Sequence, residues 1–174
     1  MTKRYPKTLS RGANNTVIAL SETEVAKLFL EDTRSDIGSE AEKMQYANEI
    51  NGLIVKFIRL DVDEAMDADM LVMERLYPLD FRAYELEYRE AMLEHFEREV
   101  GELYEAGFVY RGLHRPSSMP GMCFDNILLT DNGVRLIDVG TSALRHQVGD
   151  RLFERFFEQE IEALERFRQF WLRR

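Results

Sequence analysis

The chain has 174 residues, of which 45% are hydrophobic, 32% charged and 11% aromatic, and its net charge is −9 at pH 7. This length allows one domain with its own core, or two small lobes that share one. The negative charge argues against a broad nucleic-acid surface, since phosphate contacts need clustered lysine and arginine. The single cysteine, Cys123, excludes an internal disulfide, and no Cys/His cluster indicates a zinc site.

The N-terminal residues lack the apolar core of a secretory signal peptide, and no apolar run reaches the length of a membrane span. A lone cysteine also fits a reducing compartment. We therefore expect a cytoplasmic protein with no membrane segment.

The first part of the chain is rich in strand patterns. Alternating apolar residues predict strands over 16–20 and 24–30, preceded by a small polar loop over 10–15. Backbone N–H groups of such a loop can fold over phosphates. The patterns that follow predict, in order, a helix over 39–51, a strand over 53–60, an acidic turn over 61–69 and a strand over 70–73.

The second part is dominated by two long amphipathic patterns. Apolar residues recurring at i+4 predict a helix over 84–106, and a wide aromatic stripe predicts another over 151–172, capped by Asp150. The segments between them predict a short strand over 108–110, an irregular loop over 111–123, a hairpin over 124–140 and a linker over 141–149. The order of elements indicates an α+β protein.

The predicted hairpin carries polar side chains at both of its ends. Asn126 opens its first strand, Asn132-Gly133 supplies a tight turn, and Asp138 follows its second strand. A hairpin brings its two ends together, so Asn126 and Asp138 are expected within reach of one ion. An amide oxygen and a carboxylate suit Mg²⁺. A plain hairpin with polar ends is the alternative.

Lys27 occupies an apolar strand. A lysine in a strand usually faces solvent, but a buried lysine needs a carboxylate or phosphate partner. Either environment is compatible with the local sequence.

Taken together, these segments resemble the motifs of the protein-kinase fold, in chain order and over roughly three quarters of the sequence. The segments are SRGANNTV, EVAKLF, SEAEKMQYANEINGLIVKFI, MLVMERL, GFVYRG, DNILL and LIDVG. In kinases the corresponding motifs are the Gly-rich loop, the lysine strand, the helix with its glutamate, the strand before the adenine hinge, the catalytic loop, its asparagine and D-F-G.

The resemblance implies ATP and Mg²⁺ as cofactors. It makes Lys27 the phosphate-binding lysine and Glu42 its partner, with Glu40 and Glu49 as alternative registers. It makes Asn126 and Asp138 the metal ligands. The other residues implied at the nucleotide are Ser10, Gly12 and Val17 over it, Met73 as gatekeeper, and Glu74 and Leu76 at the hinge.

The catalytic loop departs from the family at the residue that receives the substrate's proton. The expected aspartate is replaced by Gly112, and the loop is about nine residues longer than the family pattern. A second register that begins at His114 lacks the aspartate as well. Asp125 is the one carboxylate in this loop and is our candidate base, followed by His114.

Two other departures concern the ends of the resemblance. The Gly-rich loop keeps Gly12, while Ser10 and Asn15 occupy the other glycine positions, and no A-P-E motif follows Gly140. Little chain remains for the usual helical lobe. Very small bacterial effector kinases that act on host proteins are truncated in a similar way, so a host cytosol is a second expected location.

We therefore expect a two-lobed, protein-kinase-like α+β fold, with a small antiparallel-sheet N-lobe over 1–77 and a reduced helical C-lobe over 78–174. The expected function is that of a minimal protein kinase that transfers phosphate from ATP to a hydroxyl group of a partner protein. A pseudokinase, which binds nucleotide and protein without transfer, is the alternative that Gly112 favours. A small-molecule kinase of the aminoglycoside-phosphotransferase type is the third, and it lacks support because the acidic loop residue and a larger lobe are missing.

Overall fold

A five-stranded antiparallel sheet is built from the first part of the chain. The computed structural model describes residues 5–11, 15–30, 35–119 and 121–173. The strand order is β1-β2-β3-β5-β4. The strands are β1 (Lys7–Arg11), β2 (Thr16–Ala19), β3 (Glu24–Phe29), β4 (Phe57–Asp63) and β5 (Ala68–Glu74).

The acidic segment over 61–69 is mostly strand, so its prediction as a turn is wrong. Strands β4 and β5 pair as far as Asp63↔Ala68, which leaves a turn of only four residues. Cross-strand hydrogen bonding therefore overrides the low strand propensity of the aspartates. The preceding strand prediction is displaced as well: β4 begins at Phe57, because the backbones of Leu53 and Val55 hydrogen-bond to Leu136 of the later hairpin instead.

The central strand β3 separates two apolar clusters. Val25 and Phe29 face the main core, whereas Ala26 and Leu28 face a smaller cluster on the other side of the sheet. This alternation follows the two-residue period of a strand. Because Lys27 lies two residues from Val25 and from Phe29, it shares their face.

Helix α1 (Ile37–Asn48) packs against this sheet. The side chain of Asp36 accepts a hydrogen bond from the backbone N–H of Ser39 (2.6 Å), so the helix begins two residues earlier than the sequence pattern predicts. Its buried residues are Glu40, Ala41, Met44 and Ala47.

The second part of the chain consists of helices and short strand pairs. Its elements are α2 (Leu86–Glu105), β6 (Phe108–Val109), β7 (Ile127–Thr130), β8 (Gly133–Leu136), β9 (Ala143–Leu144), α3 (Arg145–Val148) and α4 (Asp150–Trp171), with 3₁₀ turns at Phe81–Ala83 and Met122–Phe124. Strand β6 pairs with β9, and β7 with β8. The protein is α+β, and the predictions of this class, of both long helices and of the β7–β8 hairpin are confirmed.

The predicted linker over 141–149 contains β9 and α3 instead. Asp150 does not cap α4: the capping position is Gly149, without a side-chain cap, and the carboxylate of Asp150 pairs with Arg145 (3.3 Å). None of the helices in the described part of the chain is both long and apolar enough to cross a bilayer.

Helix α4 contacts both α2 and the loop before Asp125. The ring of Phe167 contacts Phe96 of α2 (5.4 Å between centroids) and Phe124 of the preceding loop (5.5 Å). The indole Nε1 of Trp171 donates a hydrogen bond to the backbone oxygen of Arg89 (2.8 Å). The loop before Asp125 is therefore held by the aromatic stripe of α4.

We expect Phe167→Ala to lower the free energy of unfolding by about 3 to 5 kcal/mol, because it empties a buried aromatic position where α2, α4 and this loop meet. Urea denaturation followed by circular dichroism measures the change. Ile161→Ala, an exposed position on the same helix, is the matched control and is expected to cost less than about 1 kcal/mol. Equal losses in the two variants would contradict this packing.

Candidate functional site

A buried lysine lies between two carboxylates. Lys27 Nζ donates hydrogen bonds to both oxygens of Glu40 (2.9 and 2.8 Å) and to Oδ1 of Asp138 (3.1 Å). The side chains of Lys27 and Glu40 are 9% and 3% exposed, whereas that of Asp138 is 43% exposed. One end of this ionic triad is therefore buried and the other is open to solvent.

The sheet determines where the lysine points. Lys27 pairs with Val17 on β2 and with Leu71 on β5, so its side chain leaves the middle of the sheet on the face of the main core. An ammonium group buried there needs charged partners to offset its desolvation. The environment of Lys27 is thus the buried one of the two that the sequence allowed.

The partner of Lys27 is Glu40, so the assignment of Glu42 to this role is wrong. Glu40 lies on the buried stripe of α1 with Met44 and Ala47, and a residue two positions further is turned about 200° around the helix. Glu42 is accordingly exposed, and its Oε1 accepts a hydrogen bond from Gln147 (3.1 Å). Glu40 was one of the alternative registers.

The backbone is strained beside Asp138. Its φ angle is +63°, in the left-handed region that non-glycine residues seldom adopt. Its Oδ1 also accepts a hydrogen bond from the N–H of Gly140 (3.3 Å). A Cβ atom at residue 140 would approach Glu40 Oε1 to 3.0 Å, so the glycine lets the two acidic segments come close. Strain of this kind is typical of functional sites.

Asn126 and Asp138 lie at the same end of the β7–β8 hairpin, as the sequence predicts. The N–H of Ile137 donates to Asn126 O (3.0 Å), which places the asparagine directly across from the residue before Asp138. The buried Asn126 side chain donates from Nδ2 to Gly112 O (3.2 Å) and keeps its amide oxygen as an acceptor.

These two residues carry the types of oxygen donor that a phosphate-completed magnesium site uses. In the described part of the chain, no group of three or more His, Cys, Asp or Glu side chains is arranged to hold a metal ion. Mg²⁺, however, needs only one or two protein oxygens when phosphate oxygens and water fill its octahedron. The exposed carboxylate of Asp138 and the amide oxygen of Asn126 are ligands of that type.

The loop over 110–112 is fixed from three sides. Glu160 of α4 accepts hydrogen bonds from the backbone N–H groups of Tyr110 (3.2 Å) and Arg111. Ser142 Oγ donates to Tyr110 O (3.0 Å), and the Tyr110 hydroxyl donates to Ile137 O. Burial holds the pKa of the Tyr110 hydroxyl well above its usual range, so the group stays a neutral donor.

This fixed loop leaves no room for a side chain at residue 112. A Cβ atom there would lie 2.9 Å from Cε1 of Tyr110, a ring that is fully buried. An aspartate at this position would therefore require the buried Tyr110 ring to move.

The candidate base Asp125 is engaged in an ion pair. Its Oδ1 accepts from Arg115 Nε (3.1 Å) and its Oδ2 from Arg115 Nη2. Hydrogen bonding to the Asp125 side chain is the main reason that the pKa of the Arg115 guanidinium is raised. His114, the second candidate, packs edge-on against Phe124 (5.4 Å) in the same loop. Each oxygen of this carboxylate keeps a further lone pair, so the ion pair engages Asp125 without closing it to a substrate proton.

The residues predicted over the nucleotide are only partly described. Gly12 lies outside the described residues, and Ser10 belongs to β1 rather than to a loop. Val17 is adjacent to Lys27 on β2, as the prediction requires. Residue 10 is thus placed by strand pairing with Val17, across a local bulge.

Two backbone N–H groups of the predicted hinge over 74–76 already have partners. The N–H of Glu74 already donates to Lys56 O (3.0 Å), and that of Arg75 donates to Thr23 O (2.8 Å). Within the described part of the chain, the N–H of Leu76 is left without such a backbone partner. Met73 is buried at the end of β5, next to this segment.

Two groups near the site were missed from sequence. Glu160 is 3% exposed, and burial raises its pKa to about 7. It occurs on the aromatic stripe of α4, seven residues from both Phe153 and Phe167, and a carboxylate on such a stripe is a recognisable signal. Lys43 Nζ donates to Gly140 O (3.4 Å), and burial lowers its pKa.

Neither a search against models of known protein families nor a search of curated proteins found a match to this chain. Its function is therefore inferred from the side chains themselves.

Glu40→Gln is expected to lower the free energy of unfolding by roughly 2 kcal/mol, because it weakens a buried ion pair while Asp138 still compensates Lys27. Urea denaturation gives the value. Glu42→Gln makes the same chemical change on the exposed face of α1 and is expected to stay within about 0.5 kcal/mol of the parent. A larger loss in Glu42→Gln would show that the pairing is misassigned.

Glu160→Gln is expected to change how stability depends on pH. With a pKa of about 7 in the folded protein and 4.5 as its ordinary value, Glu160 is protonated in the folded state and ionised in the unfolded state between these pH values. The folded state then binds more protons, so this group's contribution to stability is lost as pH rises through the window, by about 3 kcal/mol at most.

Urea denaturation of parent and Glu160→Gln at several pH values from about 5 to about 8 tests this linkage. The difference between their free energies of unfolding should change over this range, at the expense of the parent. A constant difference would contradict the assignment.

Proposed function

We propose that this protein is a minimal kinase that transfers the γ-phosphoryl group of ATP to a hydroxyl group of a partner protein. One observation carries the proposal: the ammonium of Lys27 is held by Glu40 and Asp138, with the Asp138 side open to solvent. A fixed cation beside an accessible carboxylate is what binding of a metal-bound phosphate chain requires.

The resemblance to the protein-kinase fold extends this proposal to the architecture. The sheet and α1 would form an N-lobe over 1–77, and the remaining elements a reduced C-lobe over 78–174. The adenine would lie beside Met73 and hydrogen-bond to the Leu76 N–H, because the N–H groups of Glu74 and Arg75 are already used. Val17 would cover it from β2.

Each member of the triad has a separate task in this proposal. Lys27 binds phosphate oxygens, and Glu40 keeps its ammonium in place. Mg²⁺, held by Asn126 and Asp138, would supply neutralisation of charge on the phosphates.

The transfer step needs no reagent other than ATP and the substrate hydroxyl group. The hydroxyl oxygen of the substrate forms a bond to the γ-phosphorus, the bond from that phosphorus to the β–γ bridging oxygen breaks, and ADP leaves. The hydroxyl proton passes to a free lone pair of the Asp125 carboxylate. Positioning and charge stabilisation provide most of the acceleration in such reactions, which is compatible with a weak base.

A nucleotide-binding module without transfer is the second candidate function. Two observations favour it: the Tyr110 ring occupies the space next to Gly112, and both oxygens of Asp125 are bound by Arg115. Such a protein would keep the Lys27 site and act by docking to a partner. Both candidates place the protein in the cytoplasm, or in a host cytosol as an effector.

Incubation with γ-labelled ATP, alone and with a lysate, separates the candidates. A kinase is expected to label a protein in the presence of Mg²⁺, and both Lys27→Ala and Asp138→Ala are expected to lower labelling by at least about a hundredfold, because each removes charge stabilisation of the transferred group. Asp125→Ala should lower labelling while nucleotide binding, measured by the rise in melting temperature with ATP, remains.

The matched control is Asp131→Ala, which removes a carboxylate from the exposed turn at the other end of the same hairpin. It should label like the parent. A rise in melting temperature with ATP but no labelling would favour the nucleotide-binding module for these substrates. If ATP neither raises the melting temperature nor labels a protein, both candidates are excluded.

A further inference from the structure

A cavity of about 800 Å³ is bordered by the 114–124 loop, which directly precedes the hairpin described above. Its walls are the 3₁₀ turn Phe81–Ala83, the first turns of α2, this loop, and the C-terminal end of α4. The volume is in the range of pockets that hold small organic molecules. Neither Lys27, Glu40 nor Asp138 lines it.

Four arginines surround this cavity. Arg82 and Arg89 come from the α2 side, and Arg166 and Arg173 from the α4 side. The described residues of the lining include no Asp or Glu. In a protein of net charge −9, such a local excess of cations selects for an anion of more than one charge.

Arg89 is the buried member of this group. It is 7% exposed, and its Nη1 donates to the backbone oxygens of Trp171 (2.7 Å) and Arg173 (2.9 Å). Its buried Nε has no hydrogen-bond partner among the described residues. Arg89 therefore contributes a fixed positive charge to the cavity wall, while the exposed arginines supply the donors that a ligand can reach.

The remaining walls are aromatic and hydroxylic. Phe124 and Phe170 stack on each other (4.8 Å between centroids), and Phe81 contacts Phe170 (5.4 Å). Ser117 and Ser118 add hydroxyl groups. Flat apolar surfaces beside guanidinium groups accommodate a ligand that has an aromatic part and a charged part.

We propose that this cavity binds a small phosphate monoester whose organic part is flat and apolar. A phosphate monoester carries nearly two negative charges at pH 7 and offers three acceptor oxygens, which matches several arginines better than a single carboxylate does. The rings of Phe81, Phe124 and Phe170 would contact the organic part. This binding requires neither ATP nor transfer, so it goes beyond the proposed kinase activity.

The cavity wall is connected to the candidate base Asp125 by residues that are adjacent in the chain. Phe124 is in the cavity wall and directly precedes Asp125, while His114 is in the wall and directly precedes Arg115. The N–H of Arg115 also donates to Cys123 O (2.8 Å), which closes the loop at this point. A ligand here contacts both neighbours of the Asp125–Arg115 ion pair.

Titration calorimetry with phenyl phosphate tests the proposal. Saturable binding is expected, weaker at high ionic strength and absent when phenol replaces phenyl phosphate. The double variant Arg166→Gln/Arg173→Gln should weaken it at least about tenfold, because it removes two exposed charged donors without disturbing buried Arg89. The double variant Arg151→Gln/Arg155→Gln changes the net charge equally, at exposed α4 positions outside the cavity, and should bind like the parent.

Three results would overturn the proposal: no saturable binding at about 10 mM phenyl phosphate, equal loss in the two double variants, or binding that Asp138→Ala abolishes. The last result would place the ligand at the triad and would leave the proposed kinase intact. Inorganic phosphate binding as tightly as phenyl phosphate would overturn the aromatic part of the site. Conversely, binding of phenyl phosphate without binding of ATP would contradict the proposed kinase and support this cavity site.

Discussion

The ammonium group of Lys27 can be buried because the buried carboxylate of Glu40 is paired with it. Desolvating this charge without partners would cost several kcal/mol, and Glu40 alone neutralises it. Asp138 is therefore an additional, solvent-facing partner. Three separate parts of the chain must be positioned to create this contact: the middle of β3, the buried stripe of α1, and the strained residue that follows β8. This contact therefore constrains the relative positions of β3, α1 and the segment after β8.

A second constraint comes from Glu160, which ties the loop over 110–112 to α4. The bonds of Glu160 to the two backbone N–H groups, and that of Tyr110 to Ile137 O, place this loop beside the residue that precedes Asp138. The same tight arrangement fills the space at Gly112. The protein thus combines a well-organised charge triad with a loop in which the only acidic group, Asp125, is neutralised by Arg115. The two candidate functions differ in whether Asp125, paired with Arg115, accepts the proton of a substrate hydroxyl.

Much of this arrangement was accessible from the sequence, because it depends on local periodicity and turn chemistry. The two long helices and the hairpin after Asn126 follow from such patterns, whereas the local sequence left both a buried and an exposed Lys27 open. Glu42 was chosen by its spacing to the next strand, whereas the helical stripe with Met44 identifies Glu40. The pairing of β4 with β5 across acidic residues, the ion pair of Asp125 and the arginine-lined cavity depend on contacts between distant segments. Local patterns carry no information on these.

The central claim is that the Lys27–Glu40–Asp138 triad organises a metal–nucleotide site. A crystal structure of the protein with a non-hydrolysable ATP analogue and Mn²⁺ tests it most directly, since the anomalous signal of manganese locates the metal. The account predicts the metal on Asp138 and Asn126, a phosphate oxygen on Lys27 Nζ, and an intact contact from Lys27 to Glu40. A metal or nucleotide bound away from these residues, or a lysine separated from Glu40, would contradict it.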